Sequence, residues 1–216
     1  MSIRHAALAR RHAAFLAVGA VAAIPLGTVS ALAQAHPNPA TPDEIRKIQS
    51  IEPRSGPAGT EVRVYSENLP LQARVVVGIG AIGTGFEELG EGRQGEFGEV
   101  GATVTIPETA TWDRPLVFII FNGNFAPTGL SDPFHVTNEA GLIYREGQIT
   151  DEGEGCVAMR DRDGYLYTLT GDLGGAKPGD PIAVEGTWSA ESDCAQGETI
   201  DVTKVGVPPP PDDSRS

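Results

Sequence analysis

Apolar and polar positions in this chain alternate in short stretches and almost never repeat at helical spacing. Residues 60–65 set Val62 and Val64 against Glu61, Arg63 and Tyr65, the two-residue period of a half-buried strand. Residues 74–79 and 116–121 are apolar runs of the length and type expected for central strands. Residues 102–106 alternate again, as do Phe134, His135 and Val136, which turns His135 outward on its strand as a surface histidine. Turn residues such as Gly56-Pro57-Ala58-Gly59 divide these segments. Short strands with no convincing helix between them predict an antiparallel β-sandwich over residues 45–138.

The same rhythm continues over residues 139–206 in five more segments, 142–149, 157–160, 165–170, 182–188 and 199–205. Asp161-Arg162-Asp163-Gly164 ends in the Asp-Gly pair that favours a hairpin turn. Ile182, Val184, Gly186 and Trp188 share one side of their strand, and Ile200 and Val202 face inward on the last. Five short strands in so little chain predict a small closed barrel of the OB type, making the fold class all-β. Such a barrel buries little apolar surface, and the only two cysteines, Cys156 and Cys194, bracket its middle strands. They are read as a structural disulfide, because a redox pair would need the C-x-x-C spacing and a metal site would need further ligands.

Both halves resemble known families. Residues 48–62 carry I-x-x-I-x-P-x-S-G-P-x-G-T-x-V, followed by Val75-Val76-Val77-Gly78, Val104-x-Ile106-Pro107 and Phe134-x-Val136. This pattern resembles the IPT/TIG immunoglobulin-like domains, with residues 79–101 departing from it as a long segment rich in Gly and Glu. The resemblance implies a spacer or binding module and carries no catalytic residues. The second half is similar to an OB-like domain of unknown function found in exported bacterial proteins. The residues that carry this likeness are Gly141 and Gly147, Glu154-Gly155-Cys156, Asp163-Gly164-x-x-Tyr167-x-Leu169-x-Gly171-Asp172, Pro178-Gly179-Asp180, Val184-x-Gly186 and Cys194-x-Gln196-Gly197-x-x-Ile200.

The ends of the chain set its expected destination. Arg4, Arg10 and Arg11 precede an apolar run over residues 13–24, and Ala31-Leu32-Ala33 offers a small-x-small cleavage site. Residues 1–35 therefore read as an export signal cut after Ala33 or Ala35, with the ordinary route favoured over twin-arginine export. The run is shorter than the ~20 strongly apolar residues of a membrane anchor, so no membrane insertion is expected after cleavage. Residues 36–44 form a proline-broken spacer, and residues 207–216 a proline-rich tail with no part in a core. An exported chain is secreted or periplasmic, where a disulfide persists.

Charge excludes several partners. The formal charge of −13 becomes −16 once three leader arginines are removed, which repels nucleic acid and anionic lipid. Gly78-Ile79-Gly80-Ala81-Ile82-Gly83 fits a dinucleotide fingerprint, yet that motif must open a helix. Here Gly85, Gly90, Gly92, Gly95, Gly98 and Gly101 follow, each costing a helix ~1 kcal/mol. Residues 79–101, with Glu87, Glu88, Glu91, Glu96 and Glu99, read instead as a mobile acidic loop on the sandwich rim.

Candidate chemistry is thin. Asp151, Glu152 and Glu154, with Asp161 and Asp163, make the one candidate calcium cluster. Calcium takes roughly six to eight oxygens, and Asp161-x-Asp163-Gly164 lacks the remaining ligands of an EF-hand, so a hairpin turn is the simpler reading. Ser131, Asp132 and His135 lie in one strand and turn, where successive side chains diverge instead of converging as a catalytic triad. No catalytic residue, cofactor or firm metal site is expected. The chain reads as a non-enzymatic cell-envelope protein, a binding module for an unknown envelope protein or small ligand, or else a passive spacer.

Overall fold

The computed structural model describes residues 45–191, 194 and 196–209. The leader at 1–35, the spacer at 36–44 and the tail from 210 onward lie outside them. The described residues form fourteen strands and no helix. The first nine are β1 (Arg46–Lys47), β2 (Ser50–Glu52), β3 (Ser55–Gly56), β4 (Glu61–Ser66), β5 (Val75–Gly80), β6 (Phe86–Gln94), β7 (Val100–Thr105), β8 (Pro115–Asn122) and β9 (Pro127–Val136). They make one curled sheet in the order β1-β9-β8-β5-β6-β7-β4-β2, with β3 also against β9. Pairing is antiparallel except where the short β1 and β3 lie on β9.

The curl wraps both layers around one core. Val62 and Val64 from β4 meet Val75, Val77 and Ile79 from β5, Phe118 and Ile120 from β8, and Phe134 and Val136 from β9. Each of these sits at every second position of its strand, as the alternation predicts. Phe118 and Phe134 meet edge to face, ring centroids 5.9 Å apart.

Residues 79–101 correct one expectation. The acidic rim loop is largely strand, with β6 occupying Phe86–Gln94. Its alternation is hidden because Leu89 is the residue that reaches the core, and a bulge at Val77/Gly78 shifts the register. β6 pairs with β5 over residues 86–92 and with β7 at Arg93 and Gln94. It therefore crosses from one layer to the other and joins them.

The remaining strands are β10 (Leu142–Thr150), β11 (Val157–Asp161), β12 (Leu166–Thr170), β13 (Pro181–Ser189) and β14 (Glu198–Gly206). They close into a barrel in the order β10-β11-β12-β14-β13, with β14 parallel to β12 and the other pairs antiparallel. A three-strand meander with the last strand slotted beside the third is an OB-like arrangement. Ile143, Ile149, Met159, Tyr167, Leu169, Ile182, Val184, Ile200 and Val202 fill it.

Cys156 and Cys194 are bonded across 38 positions, their Cα atoms 6.1 Å apart. The bond ties the turn before β11 to the connection entering β14, where the Glu154 N–H also donates to Gln196 Oε1 at 3.2 Å. Closing a loop of this length restricts the unfolded chain by about 4 kcal/mol. Replacing both cysteines by alanine should lower the unfolding free energy by up to that amount in a urea titration. The far-UV circular dichroism of the native state should stay unchanged, because every strand pairing closes through backbone hydrogen bonds. A collapsed strand signal in native buffer would show that the barrel needs its staple to form at all.

Candidate functional site

Two places gather functional-looking side chains: the junction between sheet and barrel, and the outer face of β5, β6 and β8. The junction is built on a short connection. Residues 137–141 link β9 to β10, and Asn138 Oδ1 accepts the N–H groups of Ala140 and Leu142 at 2.9 and 3.0 Å. The side chain thus replaces the backbone partners that a bare turn lacks. Thr137 N–H donates to Gly56 O at 3.0 Å, holding the start of the connection against β3.

Beside this turn lies a buried polar chain that spans both parts. Arg145, on β10, is 1% exposed. Its Nε donates to Tyr167 Oη at 3.2 Å, and Nη1 donates to the carbonyls of Tyr144 and Trp112 at 2.7 and 2.9 Å. Its Nη2 lies 2.9 Å from His135 Nδ1. A guanidinium only donates, so Nδ1 must accept and the proton of a neutral imidazole sits on Nε2. That Nε2–H points at Glu198 Oε2, 2.6 Å away. Trp188 Nε1–H also donates to Glu198 Oε2, at 3.1 Å, and Arg54 Nη2 pairs with Glu198 Oε1. The Trp188 ring stacks on His135 at 4.7 Å between centroids, with the Arg54 guanidinium 5.1 Å from its centre.

His135 corrects a second expectation. Its alternation does point away from the sandwich core that holds Phe134 and Val136. The space outside is filled by the barrel, so the ring is 0% exposed and lies between the two parts. Burial is the main cause that pulls its pKa down, to about 4, with the nearby Arg145 and Arg54 charges adding to it against the pull of Glu198. Burial alone would raise the Glu198 carboxyl, but the His135 bond and the Arg54 charge hold it below the usual range. Ser131 plays no part here, since its Oγ accepts the Phe118 N–H and donates to Asp132 O.

The strand pattern by itself assigns no role to Arg145, Glu198 or Arg54. A signal for Arg145 was present: Ile143, Arg145, Gly147 and Ile149 share one face of β10, so a cation had to enter the interior. Nothing in the local pattern marks Glu198 as its remote counterpart.

A polar cleft of about 240 Å³ opens next to this network, with Asp113 and Arg114 on one side and Tyr144, Glu146, Asp161 and Asp163 on the other. Most of its charged groups already have partners. Arg114 holds Asp163 at 2.6 and 3.3 Å, Arg162 pairs with Glu146, and Asp161 Oδ1 accepts the N–H groups of Asp163 and Tyr165. Burial raises the Asp161 pKa against the lowering effect of those backbone donors. Glu152 is paired with Arg160 at 2.6 Å, and Asp151 and Glu154 lie on the exposed turn leading to Cys156. Among the described residues no group of three or more His, Cys, Asp or Glu is placed to hold a metal ion. The candidate calcium residues are not brought together; Asp161 caps its turn, and Glu152 and Asp163 are ion-pair partners.

The outer sheet face is different in kind. Phe86 on β6 stacks on Phe121 of β8 at 4.1 Å, and Phe125, in the β8–β9 turn, completes a trio at 6.3 and 6.4 Å. Phe121 is 3% exposed, but Phe86 and Phe125 are 43% and 46% exposed. The glycines that imitate a nucleotide motif create this surface. A Cβ on Gly78 would come within 3.1 Å of the Phe86 ring and 3.2 Å of the Phe121 ring, and one on Gly80 within 2.6 Å of Gly85 O. Phe125 has φ +58°, a left-handed conformation that costs a bulky residue on the order of 1 kcal/mol or more. Asn122 fixes that turn, its Oδ1 accepting the N–H groups of Asn124 and Ala126.

No family model matches the chain, and no curated protein matches it. Among solved structures it is similar to an auxiliary nutrient binding protein from Bacteroides thetaiotaomicron VPI-5482. The identity is 12% and the TM-score 0.29, with 71% of this chain and 46% of that one covered. The chain thus spans about half the length of that protein.

The junction generates a pH dependence. An unfolded histidine binds its proton near pH 6.5, whereas His135 in the folded chain resists it until about pH 4. Between these values the unfolded state holds more protons, so stability falls as pH drops from 6.5 towards 4 and is fully present above 6.5. The full passage corresponds to about 3 kcal/mol. Urea unfolding at pH 7 and pH 4.5 should show this loss in the native chain. His135→Gln should remove most of the difference between the two pH values, although its stability at pH 7 is lower. An unchanged pH slope in the variant would place the acid sensitivity elsewhere.

Proposed function

We propose that this chain is an exported, non-enzymatic binding protein of the cell envelope, in which the sheet and barrel form one stiff body that presents an aromatic surface to a partner. The observation that carries this reading is the Phe86, Phe121 and Phe125 trio. Exposed aromatic groups rimmed by charge are characteristic of interaction surfaces. Phe125 adds to the case, because a strained backbone is retained where folding alone would favour glycine. The leader pattern and the disulfide support export, and the IPT/TIG-like motif at residues 48–62 is consistent with a surface module. A spacer role is the second reading, favoured by the short, hydrogen-bonded link between the two parts.

The test uses the full mature chain as bait for envelope extract, alongside Phe86→Ser and Phe125→Gly. Saturable capture of one component by the native chain should weaken by about tenfold or more in each variant, as for exposed aromatic anchors worth 1–2 kcal/mol. Phe125→Gly should cost little or nothing in Tm, since glycine accepts φ +58° freely. A blank from the native chain across buffers would leave the spacer reading in its place.

A further inference from the structure

We propose that the free edge of β6, residues 86–92, is a docking strand that an extended, basic segment of a partner polypeptide joins by backbone hydrogen bonds; this rests on the binding reading above and names its partner class. Among the described residues β6 pairs with β7 only at Arg93 and Gln94, while residues 86–92 pair with β5 alone. The split follows from the crossing of β6 between layers, which pulls its first seven residues away from β7. One row of backbone donors and acceptors is thereby left without a strand, and the group that matches such a row is another extended backbone.

The space beside the edge suits the side chains of an added strand. A cleft of about 310 Å³ lies there, lined by Ile79, Phe86 and Glu87 on one jaw and by Pro107, Ala110 and Arg114, whose charge is met by Asp163, on the other. Every second residue of an added strand would point into it, and the alternate residues would lie over the outer face beside Phe86. The Phe86 ring itself leans across Gly78 of β5 onto Phe121, so the aromatic trio lies on the far side of β6 from the open edge.

Charge selects the occupant. Glu87 is exposed on the cleft side, and no salt bridge among the described residues reaches it. Glu88 and Glu91, on the other face, share the single cation Arg74 at 3.3 and 2.7 Å. A second copy of this strand would set glutamate against glutamate, which is unfavourable directly across a sheet, and two chains of net charge −13 also repel at a distance. A strand bearing Lys or Arg opposite these positions is drawn in by both terms. The glutamates therefore guard the edge against self-association and leave it open to a basic segment.

The experiment is hydrogen exchange on the full mature chain, with a synthetic peptide of alternating lysine and valine long enough to span residues 86–92. Matched controls are the same peptide with N-methylated backbone amides and one with glutamate in place of lysine. The lysine peptide should slow exchange over residues 86–92 several-fold. Both controls should leave it unchanged, and Glu87→Lys should weaken the peptide about two- to fivefold, as for one cross-strand charge pair. Equal protection by the N-methylated peptide, or none by the lysine peptide, would overturn the docking strand. If envelope capture stays sensitive to Phe125→Gly yet indifferent to Glu87→Lys, the aromatic surface binds by another route and only this inference fails. Loss of all capture removes both.

Discussion

Arg145 carries a full positive charge into a place with almost no water, and its direct acceptors are all neutral: a phenol, two carbonyls and an imidazole nitrogen. Desolvating a guanidinium costs several kcal/mol unless its donors are met and its charge is balanced. The balance comes one step away, through His135 to Glu198, which Arg54 in turn neutralises. Two of these groups belong to the curled sheet and two to the barrel, so neither part is electrostatically complete without the other. A partly satisfied network of this kind is worse than an apolar interface of the same size, which makes it all-or-none. The Arg114–Asp163 pair adds a second tie a short way off, where partial exposure makes it weaker.

Much of this fold was legible because its strands are amphipathic. The alternation around Val62 and Val64, and the apolar runs now seen as β5 and β8, placed their elements to within a residue or two. The barrel was readable from Asp-Gly hairpin chemistry and from the inward faces of β13 and β14. β6 escaped because a strand whose core-facing side chains are mostly absent has no hydrophobic period to detect. The bulge at Val77/Gly78 erased what register remained. Long-range partners escaped for another reason. Alternation tells which side of a sheet a residue faces, and it told this correctly for His135, but it cannot tell whether water or another module lies on that side.

The glycines of β5 carry a related lesson. A Gly-rich run after an apolar strand can cradle phosphate when a helix follows, because backbone amides then converge on the anion. Here a hairpin follows, and the missing side chains let two aromatic rings lie flat on the sheet. The same local composition serves opposite chemistry depending on what the next ten residues can fold into. The negative charge is likewise unevenly used: Glu198 at the junction and Asp163 and Glu146 in the neighbouring cleft meet internal cations, while no salt bridge among the described residues reaches Glu87 at the open edge.

The polar seam between the two parts also limits how this molecule can be rearranged. Domains strung on loose tethers can be cut, swapped or duplicated with little loss, because each carries its own finished surface. Here a severed barrel would expose Trp188 and leave a buried cation without its relay, while the severed sheet would carry a histidine with both ring nitrogens bereft. A lineage that recombined these halves would have to replace at least Arg54, His135, Arg145 and Glu198 together, so the pair is expected to travel through evolution as a single inherited unit.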